Sequence, residues 1–211
     1  MARRIHQNQD MNSEEWNRRY EGAELVWTVH PNRFLVDEVE GMKPGLALDL
    51  ACGEGRHAVW LAGLFWRVRA VDFSDVAIAK GRKLAERHAV EVEWAVADLN
   101  EYAPEVESAD LVIVFYLQLP AAERSPILSR AAAAVAPGGT FLLVAHDSSN
   151  LEHGHGGPKS AEVLYTAEDV VADLDGSGLE IERAEAVDRP VETPEGERVA
   201  IDALVRASRP A

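Results

Sequence analysis

Residues 47–62 read ALDLACGEGRHAVWLA. A short, almost wholly apolar run meets two glycines, and helix formers follow. This order constrains the fold more than any other feature of the chain. A strand covered on both faces needs no polar alternation, and a parallel neighbour requires a crossover helix. The same alternation recurs downstream. VRAVD (68–72) reads as a strand, and SDVAIAKGRKLAERH (74–88) as a helix capped by Ser74. VEWAVAD (92–98), ADLVIVFYL (109–117) and TFLLVAHD (140–147) read as further strands. The alanine-rich segment 121–136 is expected to be a helix stopped by Pro137-Gly138-Gly139. Repeated strand–helix units predict a doubly wound, mostly parallel sheet with helices on both faces.

Both flanks depart from that rhythm. Residues 13–20 and 32–40 read as short helices, the second capped near Asn32 after Pro31. Residues 1–45 are therefore expected to be a disordered leader plus N-terminal lid helices, ahead of a core at 46–211. Beyond the fifth strand, SSNLEHGHGGPKS (148–160) reads as a polar, glycine-rich loop. Thr166 then opens a helix with Asp169 in a capping-box arrangement. LEIERAEAVDRPV and RVAIDALVRAS alternate and are joined by ETPEGE, which predicts a C-terminal antiparallel β-hairpin.

At 211 residues the chain suits one domain. Its net charge is -15 with the seven histidines neutral. Lys and Arg supply most nucleic-acid affinity by neutralising phosphates, so nucleic acid is not the expected partner. No apolar run approaches the ~18 residues that cross a bilayer, so no membrane partner is expected either. The single cysteine, Cys52, excludes an internal disulfide and fits a reducing, cytoplasmic location. A monomer or a homodimer is compatible with all of this.

The glycine turn admits two cofactors. Residues Gly53 to Ala58 match G-x-G-x-x-A, a dinucleotide fingerprint, and so allow an NAD(P)-dependent oxidoreductase. Asp49, just before the turn, opposes that reading, because a pyrophosphate there is anionic. S-adenosyl-L-methionine instead brings an ammonium and a sulfonium, which a nearby carboxylate attracts. Asp72 ends the second strand, where a carboxylate can accept both ribose hydroxyls. Asp98 ends the third and could receive the adenine amine. Each aspartate could also simply cap a turn. A non-catalytic S-adenosylmethionine-binding protein is the third reading.

DLACGEGRHAVWLA, AVDFSDVAIAKGR, VADL, ADLVIVFYLQLP and VAPGGTFLLVAHD resemble the successive motifs of class I S-adenosylmethionine-dependent methyltransferases. WNRRY, VWTVHPNRFL and DLACGEGR resemble the tellurite-resistance-type branch, related to thiopurine methyltransferases. The resemblance implies a Rossmann-like, seven-stranded sheet with its last strand antiparallel. It implies that Asp49, Ala51, Gly53 and Gly55 surround the methionyl end, and that Asp72 takes the ribose with Phe73 beside the adenine. Asp98 and Leu99 meet the base, and Phe115 or Tyr116 borders the cofactor. Arg56 either contacts the cofactor carboxylate or closes the loop by a surface pair. Leu64-Phe65-Trp66 departs from the pattern, since relatives often carry a glycine after this helix.

A small-molecule acceptor, with a thiol, oxygen, nitrogen or chalcogen oxyanion as nucleophile, is expected to meet three segments. Trp16, Tyr20, Trp27 and His30 lie in the N-terminal segment, Tyr116 and Gln118 after the fourth strand, and His146 and Asp147 after the fifth. His146 is the candidate general base for a proton-bearing acceptor, or else a hydrogen-bonded strand-end histidine. Tyr116 is a candidate for acceptor positioning. His153 and His155 in a flexible loop are only part of a metal-ligand set, so no metal is expected. Cys52 fits as a small packing residue, and Trp60, Trp66 and Trp94 as core.

Overall fold

The computed structural model describes residues 13–22 and 29–211. Most of the expected leader and Trp27 lie outside the described residues. Strands β1 (Leu46–Leu50), β2 (Arg67–Asp72), β3 (Glu93–Val96), β4 (Ala109–Phe115), β5 (Val135–His146), β6 (Glu180–Thr193) and β7 (Gly196–Ser208) form one sheet. Their order is β3-β2-β1-β4-β5-β7-β6. The first five pair in parallel. β7 runs antiparallel to both β5 and β6. The chain thus builds outward from β1 in one direction, then returns and builds outward in the other. Between β1 and β4 the crossovers diverge, which leaves a crevice above the carboxyl ends of these strands.

Side chains alternate across each strand, so the sheet feeds two cores. Leu48 and Leu50 of β1, with Val112 and Val114 of β4, pack under α5 (Ala121–Ala133) and α7 (Ala167–Asp173). Ala47, Leu111, Ile113 and Phe115 face the other way, toward α2 (Arg33–Val39), α3 (Arg56–Gly63) and α4 (Asp75–His88). Local capping matches the sequence reading. The Asn32 side chain accepts from the Phe34 N–H, Ser74 from the Ala77 N–H, and Thr166 and Asp169 make a reciprocal capping box.

Three boundaries differ from expectation. The helix expected over 121–136 ends at Ala133. The Ala134 carbonyl accepts the Ser108 and Ala109 N–H groups, so the edge of β4 captures the chain there. Pro137-Gly138-Gly139 then lies within β5 as a register shift opposite Ala109 and Leu111. The loop after β5 contains a short helix, α6 (Asn150–His153). In the hairpin, pairing runs on to Thr193 opposite Gly196, deep into the segment expected to turn.

The unusual Leu64-Phe65-Trp66 ending of α3 has a clear physical form. The Trp66 N–H bonds to the Leu61 carbonyl and the Phe65 N–H to the Ala62 carbonyl. This is a Schellman closure, which places its left-handed position at Phe65, φ 68. Glycine is favoured there because it has no Cβ to strain. Phe65 is 89% exposed, so its ring contributes little burial in return. Phe65→Gly should therefore raise stability by about 0.5–1 kcal/mol, or about 1–4 °C in Tm. Phe65→Ala, which keeps a Cβ, should give no such gain in a thermal melt.

Candidate active site

Asp49 lies two residues beyond Ala47 and therefore faces the same side of the sheet, beneath the start of α3. It is completely buried, and neither carboxyl oxygen has a hydrogen-bond partner. Burial, then the charge of Asp72, pushes its pKa up to about 8; Arg56 pulls the other way, as does the Ala58 N–H, which is near but not in hydrogen-bonding geometry. After β1 the chain turns through left-handed conformations at Ala51, Gly53 and Gly55. Gly55 caps α3 without a side chain, and a Cβ there would run into the Trp94 ring. Trp94 also lies against Gly81 of α4, so it fills the gap between the turn and that helix.

Asp72 fixes this turn from the neighbouring strand. Its Oδ2 accepts the Gly53 N–H at 2.8 Å and its Oδ1 the Ser74 N–H at 2.9 Å. Burial raises its pKa, and these backbone donors oppose the rise. Phe73 follows, half-buried. Asp98 is exposed and accepts the Asn100 N–H at 2.8 Å, while Leu99 beside it is buried. The second residue of the turn, Glu54, is 3% exposed and pairs with Lys80 at 3.1 Å. Lys80 also donates to the Tyr20 carbonyl at 2.5 Å. The Asn17 side chain bonds to Asp75 and Ser74. Thus α1 (Ser13–Glu21) is strapped across α4 beside the turn, with Tyr20 buried and stacked on Trp16. Sequence reasoning missed the Glu54–Lys80 pair, because nothing in G-x-G marks its middle residue for burial.

A second polar cluster stands at the ends of β4 and β5. Tyr116 adopts φ 57; its hydroxyl accepts from Asn32 Nδ2 and donates to Asp202 Oδ2, both at 2.8 Å. Asp202 is completely buried, and Arg189 donates to it from Nε at 2.6 Å and from Nη2 at 3.3 Å. The Nδ1 atom of His146 stands 3.3 Å from Asp202 Oδ1, not yet aligned as a hydrogen bond. Burial alone would raise Asp202, but His146 and Arg189 outweigh it and hold the carboxyl below its usual range. Burial pushes the Tyr116 phenol well up, so it stays protonated and donates. The His146 ring lies 5.0 Å from that of Tyr116.

Other candidates find definite places around these two clusters. Burial lowers the pKa of Arg56, and Tyr116, Asp49 and Asp202 oppose the shift. His57 packs on Phe115 at 4.5 Å with its Nε2 buried and unpartnered, and burial holds it well below the usual histidine range. Gln118 accepts the His146 N–H at 2.7 Å and donates to the Val163 carbonyl at 2.6 Å, so both ends of its amide are engaged. His30 is exposed. Asp147 is buried and accepts from Ser149. The loop after α6 crosses His146 so closely that a Cβ on Gly157 would lie 2.9 Å from its ring. His153 and His155 are exposed, and among the described residues no three metal-ligating side chains come together. Cys52 is buried, and burial lifts its thiol well above the usual range. Trp66 is core and Trp60 half-buried. A hollow of about 660 Å³, lined among others by Gly45, Trp66 and Asp110, opens at the opposite ends of the strands, away from all these groups.

Residues 47–139 match the family model described as a methyltransferase domain, a span that contains the whole glycine turn. The chain is 21% identical to the protein of a structure described as conversion of a disulfide bond into a thioacetal group during echinomycin biosynthesis. The two superpose with a TM-score of 0.74, covering 94% of this chain and 92% of that one. TehB from Haemophilus influenzae follows the fold with a TM-score of 0.70 at 19% identity, over 93% of this chain and 66% of its own. Magnesium protoporphyrin IX methyltransferase (ChlM) from Synechocystis PCC 6803, solved with bound SAH, gives 0.65 at 18% identity, over 98% and 91%. The chain has the fold of S-adenosylmethionine-dependent methyltransferases. Among curated proteins, Hemagglutinin 1 of Eikenella corrodens is 32% identical over 110 residues, 51% of this chain and 36% of its own. Ribosomal RNA small subunit methyltransferase C of Alcanivorax borkumensis is 30% identical over 109 residues, 49% of this chain and 33% of its own. The chain thus spans about a third of the length of the curated relatives it matches.

The raised carboxyl of Asp49 has a measurable consequence without any ligand. Between its ordinary value of 3.8 and about 8, the native state keeps this proton while the unfolded chain has lost it. Stability from this group is therefore fully present below the lower value and lost as pH rises toward the upper one, by about 1.4 kcal/mol per pH unit at most. The stability of Asp49→Asn relative to wild type should grow from pH 5 to pH 8 and then level off in urea unfolding. A difference independent of pH would show that Asp49 is ionised in the free protein.

Proposed function

We propose that this chain is an S-adenosylmethionine-dependent methyltransferase acting on a small-molecule acceptor. The observation that carries the reading is Asp49, a buried carboxyl with no donor, placed under an open helix N-terminus at the sheet's switch point. Such a group is costly unless a partner satisfies it, and a ligand ammonium fits that need. The backbone around Ala51, Gly53 and Gly55 allows close approach of the methionyl end. Asp72 already accepts two backbone N–H groups, yet each carboxylate oxygen keeps a second lone pair for a ribose hydroxyl. Phe73, Asp98 and Leu99 then border the adenine, and Phe115 the centre of the molecule. Arg56 is placed to meet the cofactor carboxylate or the acceptor.

When bound, the cofactor supplies a methyl group on a sulfonium, open to in-line attack. The protein's part is to hold the acceptor in line and exclude water, an arrangement worth up to ~7–11 kcal/mol. The strapped α1, with Trp16 and Tyr20, acts as a lid over the site. The chain's acidic balance favours a small acceptor over nucleic acid. Among the described residues no helix is long and apolar enough to cross a membrane. WNRRY and DLACGEGR support assignment to the tellurite-resistance-type branch, and the lone buried cysteine supports a reducing, cytoplasmic setting.

Calorimetric titration with S-adenosylhomocysteine should give micromolar affinity, weakened at least ~10-fold in Asp49→Ala and Asp72→Ala, the scale of one lost charged hydrogen bond. Because a cationic ligand favours ionised Asp49, binding should release a proton below pH 8, and affinity should rise with pH up to that point. Equal affinities in all three proteins, or binding of NAD instead, would overturn the proposal.

A further inference from the structure

The second cluster stands apart from the glycine turn, and its buried carboxylate, Asp202, has donors on both oxygens. We propose that His146 is the general base of the reaction, that Asp202 is its positioning residue, and that the acceptor is therefore an aromatic hydroxyl of the phenol class. This rests on the methyl-transfer reading above and goes beyond it to the substrate and the proton.

The geometry carries the assignment. Nδ1 is the buried ring nitrogen of His146 and stands 3.3 Å from Asp202 Oδ1, so a small rotation closes a hydrogen bond. Asp202 has no freedom to move away, since Arg189 and Tyr116 both donate to its Oδ2. A carboxylate fixed beside Nδ1 places the proton there and leaves the lone pair on Nε2. The His146 backbone is separately pinned by Gln118. Its strand end lies two strands from β1, about 10 Å across the sheet. That span accommodates a methyl donor over the glycine turn and an acceptor beside His146. Tyr116, one partner of Asp202, is held at φ 57, a strained state for a non-glycine residue. Such strain persists where surrounding contacts over-determine a site.

The surroundings select the nucleophile. Rings of His57, Phe115, Tyr116 and His146 pack in a row at 4.5, 6.5 and 5.0 Å; the first two are buried, so the partly exposed Tyr116 and His146 form the end that a flat aromatic molecule would meet. The Arg189 guanidinium, bonded to Asp202 at 2.6 Å and 5.6 Å from the Tyr116 ring, disfavours an ammonium acceptor and favours developing negative charge on oxygen. A thiol that ionises on its own has no need of a base, whereas a phenol does. In the step, the acceptor oxygen bonds to the methyl carbon as the carbon–sulfur bond breaks with its electron pair left on sulfur. The O–H proton passes to Nε2, so one positive charge moves from sulfur to the imidazolium, which then returns its proton to water.

Two measurements test this. In the ligand-free protein labelled with nitrogen-15 histidine, His146 should show the Nδ1–H tautomer. In Asp202→Asn, Arg189 takes the amide oxygen and the amide NH₂ faces His146, so the tautomer should switch to Nε2–H; Asp202→Glu should restore the first form. Turnover should then be compared with phenol and with thiophenol, which is largely ionised at neutral pH. His146→Asn keeps the Gln118 bond, because that bond uses the backbone N–H. Whatever ring contact both acceptors lose, the variant should lower kcat on phenol at least ~30-fold more than kcat on thiophenol, with S-adenosylhomocysteine affinity intact. An Nε2–H tautomer in wild type, or equal losses on both acceptors, overturns the dyad. If neither acceptor turns over, the tautomer in the three proteins decides it. Loss of S-adenosylhomocysteine binding in wild type would instead overturn the reading beneath it.

Discussion

A completely buried carboxyl without a hydrogen-bond donor lies near the carboxyl end of β1, and the rest of the site is arranged around it. Nothing in packing alone explains Asp49, since an apolar residue in phase with Ala47 would bury there at no electrostatic cost. The turn that follows is held in place by another aspartate, whose two oxygens bind Gly53 and Ser74. Asp72 therefore does structural work that leaves Asp49 unsatisfied yet fixed in position. Burial and the charge of Asp72 raise the proton affinity of Asp49, so the free protein keeps Asp49 protonated near neutral pH.

Asp202 is the opposite case on the same face of the sheet. It is as deeply buried as Asp49 but has partners on both oxygens, and it stays ionised where Asp49 does not. Arg56 senses both. One end of the crevice thus holds a neutral carboxyl awaiting positive charge, and the other a charged and neutralised network beside two guanidiniums. A ligand with a cationic amino-acid end near β1 and a reacting oxygen near β5 would meet the complementary sign at each end.

Much of this was legible in the sequence, for reasons that can be traced. Strands β1, β2 and β4 are buried along most of their length, so their apolar stretches stand out, and the turn residues stand where a parallel strand must feed a helix. Asp49 was visible because a charged residue interrupts such a run. Helix ends were less legible. The end of α5 depends on β4 capturing the Ala134 carbonyl, a contact between segments that local propensity does not encode. The Asp202 network went unread, although a signal existed: in VAIDALV, Asp202 is in phase with the buried Ala200 and Leu204. A polar residue on the inward phase of an alternating strand marks a buried partner. Arg189 gave no such sign, since β6 is a half-exposed edge strand on which charges are common.

Backbone strain at non-glycine residues falls at Ala51, Phe65, Ala89, Glu107 and Tyr116, and it has different causes at different places. Ala51, Phe65 and Tyr116 share the left-handed conformation, which costs an L-residue roughly 1 kcal/mol or more. At Phe65 nothing offsets the cost except the closure of a helix end that glycine would make equally well. At Ala51 and Tyr116 the same conformation ends strands β1 and β4, the two that flank the switch point. There it turns the chain away from the sheet within a single residue, opening the crevice between them. It also directs the Tyr116 hydroxyl to Asn32 and Asp202. A glycine at 116 would adopt the turn more easily and would leave the buried carboxylate short of a donor, which is the more expensive loss.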